Sequence, residues 1–386
     1  MNENLLSMKK FLSWLLGIIA VIVLGLYLTD YNYVLKGIRV VYLTGHTTAF
    51  IDDFKYFENE TISASSNPQP WPKAEDYNTV EPTETLIQTN EALGTVAFLI
   101  IKNDSIWYEN YAEGYSDSSQ TNSFSMAKSV VSALMGKAIN DGYIKSLDQP
   151  VGDFYPEFKN TNITVGDLSS MASGLNWDES YKNPFGITAR AYYDDNLAET
   201  ILNLKMVERP GEKYKYLSGN TQLLAMVIQK ATGKQLATYL QQSFWQPMGA
   251  ENPALWQVDD EDHRLVKAYC CIGSNARDFA RFGKLYKDFG KWNGKQVLDS
   301  AFVAKSIQPR FKESPEYGYG FWLNKHNGKE VFAMRGILGQ YVIVIPEDDV
   351  IIVRLGHHRG KKGDDPFSKD FYTYMEEAYS MLRANS

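Results

Sequence analysis

The chain has 386 residues, 44% hydrophobic and 22% charged, the proportions of a globular protein long enough for one large domain or two smaller ones. A net charge of -7 and a sequence pI near 5.4 weigh against nucleic-acid binding, and the short basic cluster "RGKKG" at 359–363 reads as a solvated loop. The five histidines (His46, His263, His326, His357 and His358) show no HExxH spacing and no cysteine partners, so the expectation is no metal and no cofactor.

The first element is apolar throughout. "FLSWLLGIIAVIVLGLYL" at 11–28 carries no charge. As a helix it would span about 27 Å, close to the hydrocarbon thickness of a bilayer. Lys9 and Lys10 precede it and Asp30 follows, which predicts a cytoplasmic N-terminus and an exported remainder. The expectation is a single-pass anchor in the cytoplasmic membrane, with a periplasmic or extracellular domain. The alternative is secretion after signal cleavage, but the bulky "LYLTDYNY" offers no small-x-small site. The expected organisation is a cytoplasmic tail at 1–10, an anchor at 11–28, a linker and N-terminal extension at 29–84, and a globular domain at 85–386.

The stretch "SASSNPQPWPKAEDYNTVEPT" is rich in Pro, Ser and Asn and reads as an extended connector. "TVAFLIIK" and "SIWYENYAEGY" flank Asn103-Asp104 and predict a β-hairpin. "NSFSMAKSVVSALMGKAINDGY" predicts a helix, capped by Asn122 or Ser123 and ended by Asp141-Gly142. Residues 141–210 are mixed, with aromatic loops. "NTQLLAMVIQKATG" at 220–233 predicts a buried helix ending at Gly233, and "SNARDFARFGKLYKDFG" at 274–290 another. The C-terminal part returns to strands ("GYGFWLN", "EVFAMRG", "QYVIVIPEDDVIIVRLG") and closes on an amphipathic helix. Strands at both ends with helices between do not alternate as βαβ units would. They predict an α+β fold: an antiparallel sheet from both chain ends, flanked by helices, with a mostly helical subdomain inserted.

Cys270 and Cys271 are adjacent, and neighbouring cysteines seldom bridge, so two small buried side chains are expected.

The chemistry centres on Ser125 and Lys128. Three residues apart on a helix, they are neighbours about 60° apart around the axis. Ser125 falls in the first turn, where free N–H groups and the dipole favour an anion. A serine hydroxyl needs a base, and a lysine serves only if burial lowers its pKa. The S-x-x-K pattern by itself leaves open whether Lys128 is a base or an edge charge, since Ser7 and Lys10 repeat it in the tail.

Context decides more. "SMAKS" is followed by "PGEKYKYLS" before a "LLA" helix, then by a glycine-bearing strand. This ordered set over roughly 85–383 resembles class C serine β-lactamases, penicillin-binding DD-peptidases and related esterases. "MASGL", "SNARDFARFGKLY" and "RGILGQYVIVIP" are similar to the 6-aminohexanoate-dimer hydrolase branch. The resemblance implies a β-lactamase/transpeptidase-like fold, with Ser125 as acylated nucleophile, Lys128 as proton acceptor and Tyr216 as second acid/base. Tyr214 competes for that last role, but Tyr216 keeps the family spacing from Pro210-Gly211. The resemblance also implies that Ser218 hydrogen-bonds near Lys128. Gly336 would allow close backbone approach, with the N–H of Ile337 and that of Ser125 forming the oxyanion hole.

The family's cationic first residue of the strand triplet is replaced here by Met334, in Met334-Arg335-Gly336. That leans toward ester or amide substrates over β-lactams. Trp177, Asp178, Glu179, Tyr181, Tyr192 and Tyr193 are candidate cleft residues, with Asp178 and Glu179 facing a cationic substrate end. The expected partners are a small-molecule or peptide substrate and, through the N-terminal helix, the membrane. A penicillin sensor or a DD-peptidase on the same fold are the competing functions.

Overall fold

The computed structural model describes residues 2–384. Helix α1 (Asn2–Leu28) leads into α2 (Tyr33–Val40), and strand β1 (Asn59–Ile62) and helix α3 (Glu84–Ala92) follow. The hairpin is β2 (Thr95–Lys102) and β3 (Ser105–Tyr111), turning at Asn103 and Asp104, both at positive φ. Next come β4 (Thr121–Asn122) and α4 (Ala127–Asn140), then α5 (Val165–Ser169), α6 (Ile187–Tyr193), α7 (Leu197–Leu202), α8 (Ser218–Thr232) and α9 (Leu236–Leu240). Strands β5 (Ala254–Gln257) and β6 (Ile272–Ser274) precede α10 (Ala276–Lys287). A small hairpin, β7 (Lys291–Trp292) and β8 (Lys295–Gln296), and helix α11 (Ser300–Ser306) lead to β9 (Trp322–His326), β10 (Lys329–Gly336), β11 (Gln340–Ile345) and β12 (Val350–Gly356). Helix α12 (Lys369–Ala384) ends the described chain.

The main sheet runs β3-β2-β12-β11-β10-β9, antiparallel throughout. The two chain ends meet where β2 pairs with β12, with Ile100 opposite Ile352. Side chains alternate across the pleat. Phe98, Ile100, Ile343 and Ile352 pack against Phe371, Tyr374 and Met375 of α12 and Leu86 of α3. Leu99, Ile101, Val342 and Val353 face the other way, onto the core shared with α4, α8 and α10. The strands are apolar on both faces because both faces are covered. The expected α+β architecture with an inserted helical region is therefore observed.

Residues 29–84 differ from an extended connector. Val40, Ile51, Phe57, Ile62 and Trp71 are buried in the main core, and β1 pairs with β5 in a second sheet ordered β1-β5-β6-β4. The polar "SASSNPQPWP" run obscured this, because the apolar residues that dock are spaced irregularly around it. Helix α1 is long and apolar enough over Leu6–Leu28 to cross a membrane, and it is not buried against the domain.

Candidate active site

Strand β4 ends at Asn122, and one 3-10 turn, Phe124–Met126, separates it from α4. Ser125 sits in that turn. The turn is tight: Phe124 has φ 45°, a left-handed backbone that costs a side-chain-bearing residue roughly 1–3 kcal/mol and persists only when its surroundings hold it. Here they do. Asn122 Oδ1 accepts from the Phe124 N–H at 2.9 Å. Ser123 N–H donates to the Ile272 carbonyl at 2.7 Å, and its Oγ accepts from the Ile272 N–H at 3.0 Å. Of the two expected caps, Asn122 thus holds the turn, while Ser123 ties it to β6.

Lys128, 2% exposed, lies one turn on. Its Nζ donates to Ser125 Oγ at 2.9 Å and to the Tyr269 carbonyl at 2.7 Å. Burial pulls its pKa from 10.5 down to about 8, and the Glu179 carboxylate opposes part of that. The Tyr216 ring centre is 5.1 Å from Lys128 Nζ. Burial, then the Glu179 carboxylate, hold its hydroxyl above the ordinary phenol range, and the nearby Ser125 hydroxyl lowers the Tyr216 pKa a little. An ammonium-stabilised phenolate at Tyr216 is thus not what the surroundings favour; the group is a protonated phenol near neutral pH. The competing Tyr214 lies instead against the Tyr317 ring, at 5.3 Å.

Ser218 does not reach Lys128. Its N–H and Oγ both donate to Glu179, at 2.7 and 2.5 Å, and Tyr181 donates its hydroxyl to the same carboxylate at 2.5 Å. Ser218 opens α8, so its N–H is one of the orphaned donors that a carboxylate satisfies well. Glu179 is therefore fully engaged within the protein. Of the other cleft candidates, Tyr181, Tyr192, Tyr193 and Ser218 line a narrow cavity of about 80 Å³ beside Ser125, with Phe124, Tyr269 and Ile337. Trp177 and Asp178 do not. Trp177 is buried behind α8, against Gly219, and Asp178 is an exposed turn residue that accepts from the Ser180 N–H.

Gly336 closes the site from the sheet. A Cβ there would meet the Ser123 carbonyl oxygen at 2.4 Å, so only glycine lets β10 approach the Ser125 turn. Met334 is buried in the main core. Arg335 points to the opposite face, its guanidinium 4.4 Å from the ring centres of both Trp322 and Phe367 and donating to the Pro366 carbonyl. The triplet thus delivers no cation to Ser125.

Three features were not anticipated. Cys270 and Cys271 are bonded to each other, contrary to the expected free pair; the chain bends at Cys271, whose φ is 76°. Cys270 lines the cavity, and the bridge directly follows the carbonyl that binds Lys128. The extension supplies Thr48 and Ala49 to the cavity wall. It also supplies Asp53, wholly buried, which accepts from Asn122 Nδ2 at 2.8 Å, Gln257 Nε2 at 3.1 Å and the Tyr192 hydroxyl at 2.7 Å. Burial raises Asp53 to about 6 against these donors. Asn122 therefore links an extension carboxylate to the Ser125 turn, and no local motif signals it.

A serine hydroxyl bonded to a buried lysine that also lies over a tyrosine ring, between an antiparallel sheet and a helical insert, belongs to the class of β-lactamase-like and penicillin-binding-like serine hydrolases. The Beta-lactamase family model matches residues 83–372, and the chain belongs to that family. It is a serine hydrolase acting on amides or esters. The chain is 25% identical over 295 residues to the 6-aminohexanoate-dimer hydrolase of Paenarthrobacter ureafaciens, covering 70% of this chain and 74% of that one. It is 24% identical over 336 residues to the teichoic acid D-alanine hydrolase of Staphylococcus aureus, covering 78% and 80%. A Bacillus anthracis structure, provisionally assigned as a 6-aminohexanoate-dimer hydrolase, shares its fold with a TM-score of 0.72 at 22% identity, over 86% of this chain and 91% of that one.

Proposed function

We propose that the protein is a membrane-anchored hydrolase that cleaves an ester or linear amide through an acyl-enzyme on Ser125. The observation that carries this reading is the 2.9 Å contact between Ser125 Oγ and a buried lysine whose pKa is pulled to about 8. In its neutral form Lys128 takes the Ser125 proton as Oγ attacks the substrate carbonyl. The N–H groups of Ser125 and Ile337 hold the oxyanion. As the intermediate collapses, Tyr216 gives its phenolic proton to the leaving group and recovers one from the Lys128 ammonium. Water then attacks the acyl-enzyme, its proton passing to the same pair, and Ser125 Oγ leaves reprotonated.

Buried Met334 and the stacked Arg335 favour substrates without the carboxylate of a β-lactam. The relatives named above are hydrolases of a 6-aminohexanoate dimer and of teichoic acid D-alanine, which supports a small-molecule or polymer-borne acyl group as substrate. Helix α1 supports anchoring, with the two lysines before its apolar stretch on the cytoplasmic side and the domain outside.

The test is Ser125→Ala in the full chain. Wild type should react with a fluorophosphonate and hydrolyse p-nitrophenyl acetate, and the variant should do neither. Equal reaction of the two removes the assignment. A stable β-lactam adduct on Ser125 without ester turnover would point to a sensor instead.

A further inference from the structure

The exit of the membrane helix is fastened to the wall of the Ser125 cavity. Four residues separate Leu28 from the start of α2 at Tyr33. Arg190 of α6 clamps the junction, donating to Asp30 Oδ2 at 2.8 Å and to the Asp30 carbonyl at 2.5 Å. Its guanidinium also lies over the rings of Tyr31 and Tyr33, 5.3 and 4.8 Å from their centres. The same helix carries Ala189 and Tyr193 into the cavity wall. One helix diameter, about 10–12 Å, therefore separates the anchor exit from the catalytic cavity.

Between α2 and α6 runs a second groove of about 490 Å³, whose walls include Val34, Ile38 and Tyr42 on one side and Pro184 on the other. It shares Thr48, Tyr181, Ala189 and Tyr193 with the Ser125 cavity, so the two are adjoining spaces. Ile38 and Tyr42 of its wall are exposed, by 39% and 64%, and the chain neighbours of its walls, Leu43 and Phe185, are exposed by 77% and 55%. Arg39 and Lys182 stand exposed beside these residues. An apolar lip with flanking cations, starting within fifteen residues of a hydrophobic span, matches the headgroup layer of an anionic bilayer.

We propose that this groove is a membrane-side entrance that takes the hydrocarbon chain of an anionic bilayer amphiphile and presents its ester or amide to Ser125. The inference rests on the hydrolase and anchor readings above and adds the substrate class. Ile38, Tyr42, Leu43 and Phe185 sit among the lipid headgroups, Arg39 and Lys182 meet the anionic group, and the chain fills the groove. Cleavage breaks the acyl carbon–oxygen or carbon–nitrogen bond. Water supplies the hydroxyl of the released acid and the hydrogen of the alcohol or amine.

The full chain is placed in nanodiscs of mixed phosphatidylcholine and phosphatidylglycerol. A phosphatidylglycerol with a diazirine in its acyl chain is photolysed there and the adducts are mapped. Labels on peptides spanning 33–48 and 181–193 are expected, and labels confined to α1 overturn the proposal. This map needs no variant.

In parallel, kcat/KM is measured for p-nitrophenyl acetate, butyrate, octanoate and laurate. Each buried methylene is worth about fourfold, so even partial burial gives at least a tenfold rise from acetate to octanoate. An Ile38→Asp, Tyr42→Asp double variant, both positions being exposed, should lose most of that rise. A flat wild-type series, or a variant that keeps the full rise, overturns the groove. Failure of the underlying readings shows separately. Loss of the protein from membranes in alkaline carbonate refutes the anchor, and ester hydrolysis surviving Ser125→Ala refutes the nucleophile.

Discussion

The pH dependence of acylation tests the role of Lys128 most directly. Its pKa falls from 10.5 to about 8 because the side chain is buried, so less favourable surroundings meet its charged form. At pH 7 roughly a tenth of the molecules then hold the neutral amine, against about 0.03% for an ordinary lysine. Burial thus raises the fraction of usable base by roughly a few hundredfold, on the order of 3 kcal/mol. The assay is kcat/KM for p-nitrophenyl acetate from pH 6 to pH 10. Log kcat/KM should climb with unit slope and level off above about 8. The Glu179 carboxylate holds the Lys128 proton on, so Glu179→Gln should move the midpoint to lower pH. Unit slope continuing all the way to pH 10, or a midpoint that stays put or rises in Glu179→Gln, would refute the reasoning.

Tyr216→Phe removes the proton donor while keeping the ring against Trp322 and Tyr317, so kcat should drop by about 10²–10⁴ with little change in thermal stability. An unchanged kcat would move the role elsewhere. Gly336→Ala drives a methyl toward the Ser123 carbonyl and should displace the oxyanion site, lowering kcat by about 10²–10³; a variant within threefold of wild type contradicts the close approach. Asp53→Ala leaves the Tyr192 and Gln257 donors unpaired, at about 1–3 kcal/mol each, and Asn122 Nδ2 with only its 3.2 Å bond to the Tyr192 hydroxyl oxygen, which urea unfolding should reveal as a lowered midpoint. The folded pKa of Asp53, about 6, lies above its ordinary 3.8. The folded state therefore binds the extra proton, and the stability this gives is complete below about pH 4 and lost as pH rises through 6. Asp53→Asn should lack that decline, and a decline of the same size in both proteins would assign it to other groups.

The sequence by itself determined the frame. Hydrophobic patterning and the Asn103-Asp104 turn set the strands at both ends, and Gly233 set the end of α8, because these depend on neighbours along the chain. The three-residue spacing of Ser125 and Lys128 put them together for the same reason, and the family order of Tyr216 and Gly336 pointed to their places.

Only the tertiary structure decided the rest. Whether Lys128 is a usable base depends on burial and on the Tyr269 carbonyl, 141 residues away. Ser218 turned to Glu179 instead of Lys128, because a loop carboxylate reached the start of α8 first. The segment 29–84 forms part of the cavity, since its apolar residues have no periodicity and find their partners in distant elements, among them β5, α6 and α9. Desolvation, orientation and contact between distant segments are properties of the packed state, and the order of residues along the chain does not carry them.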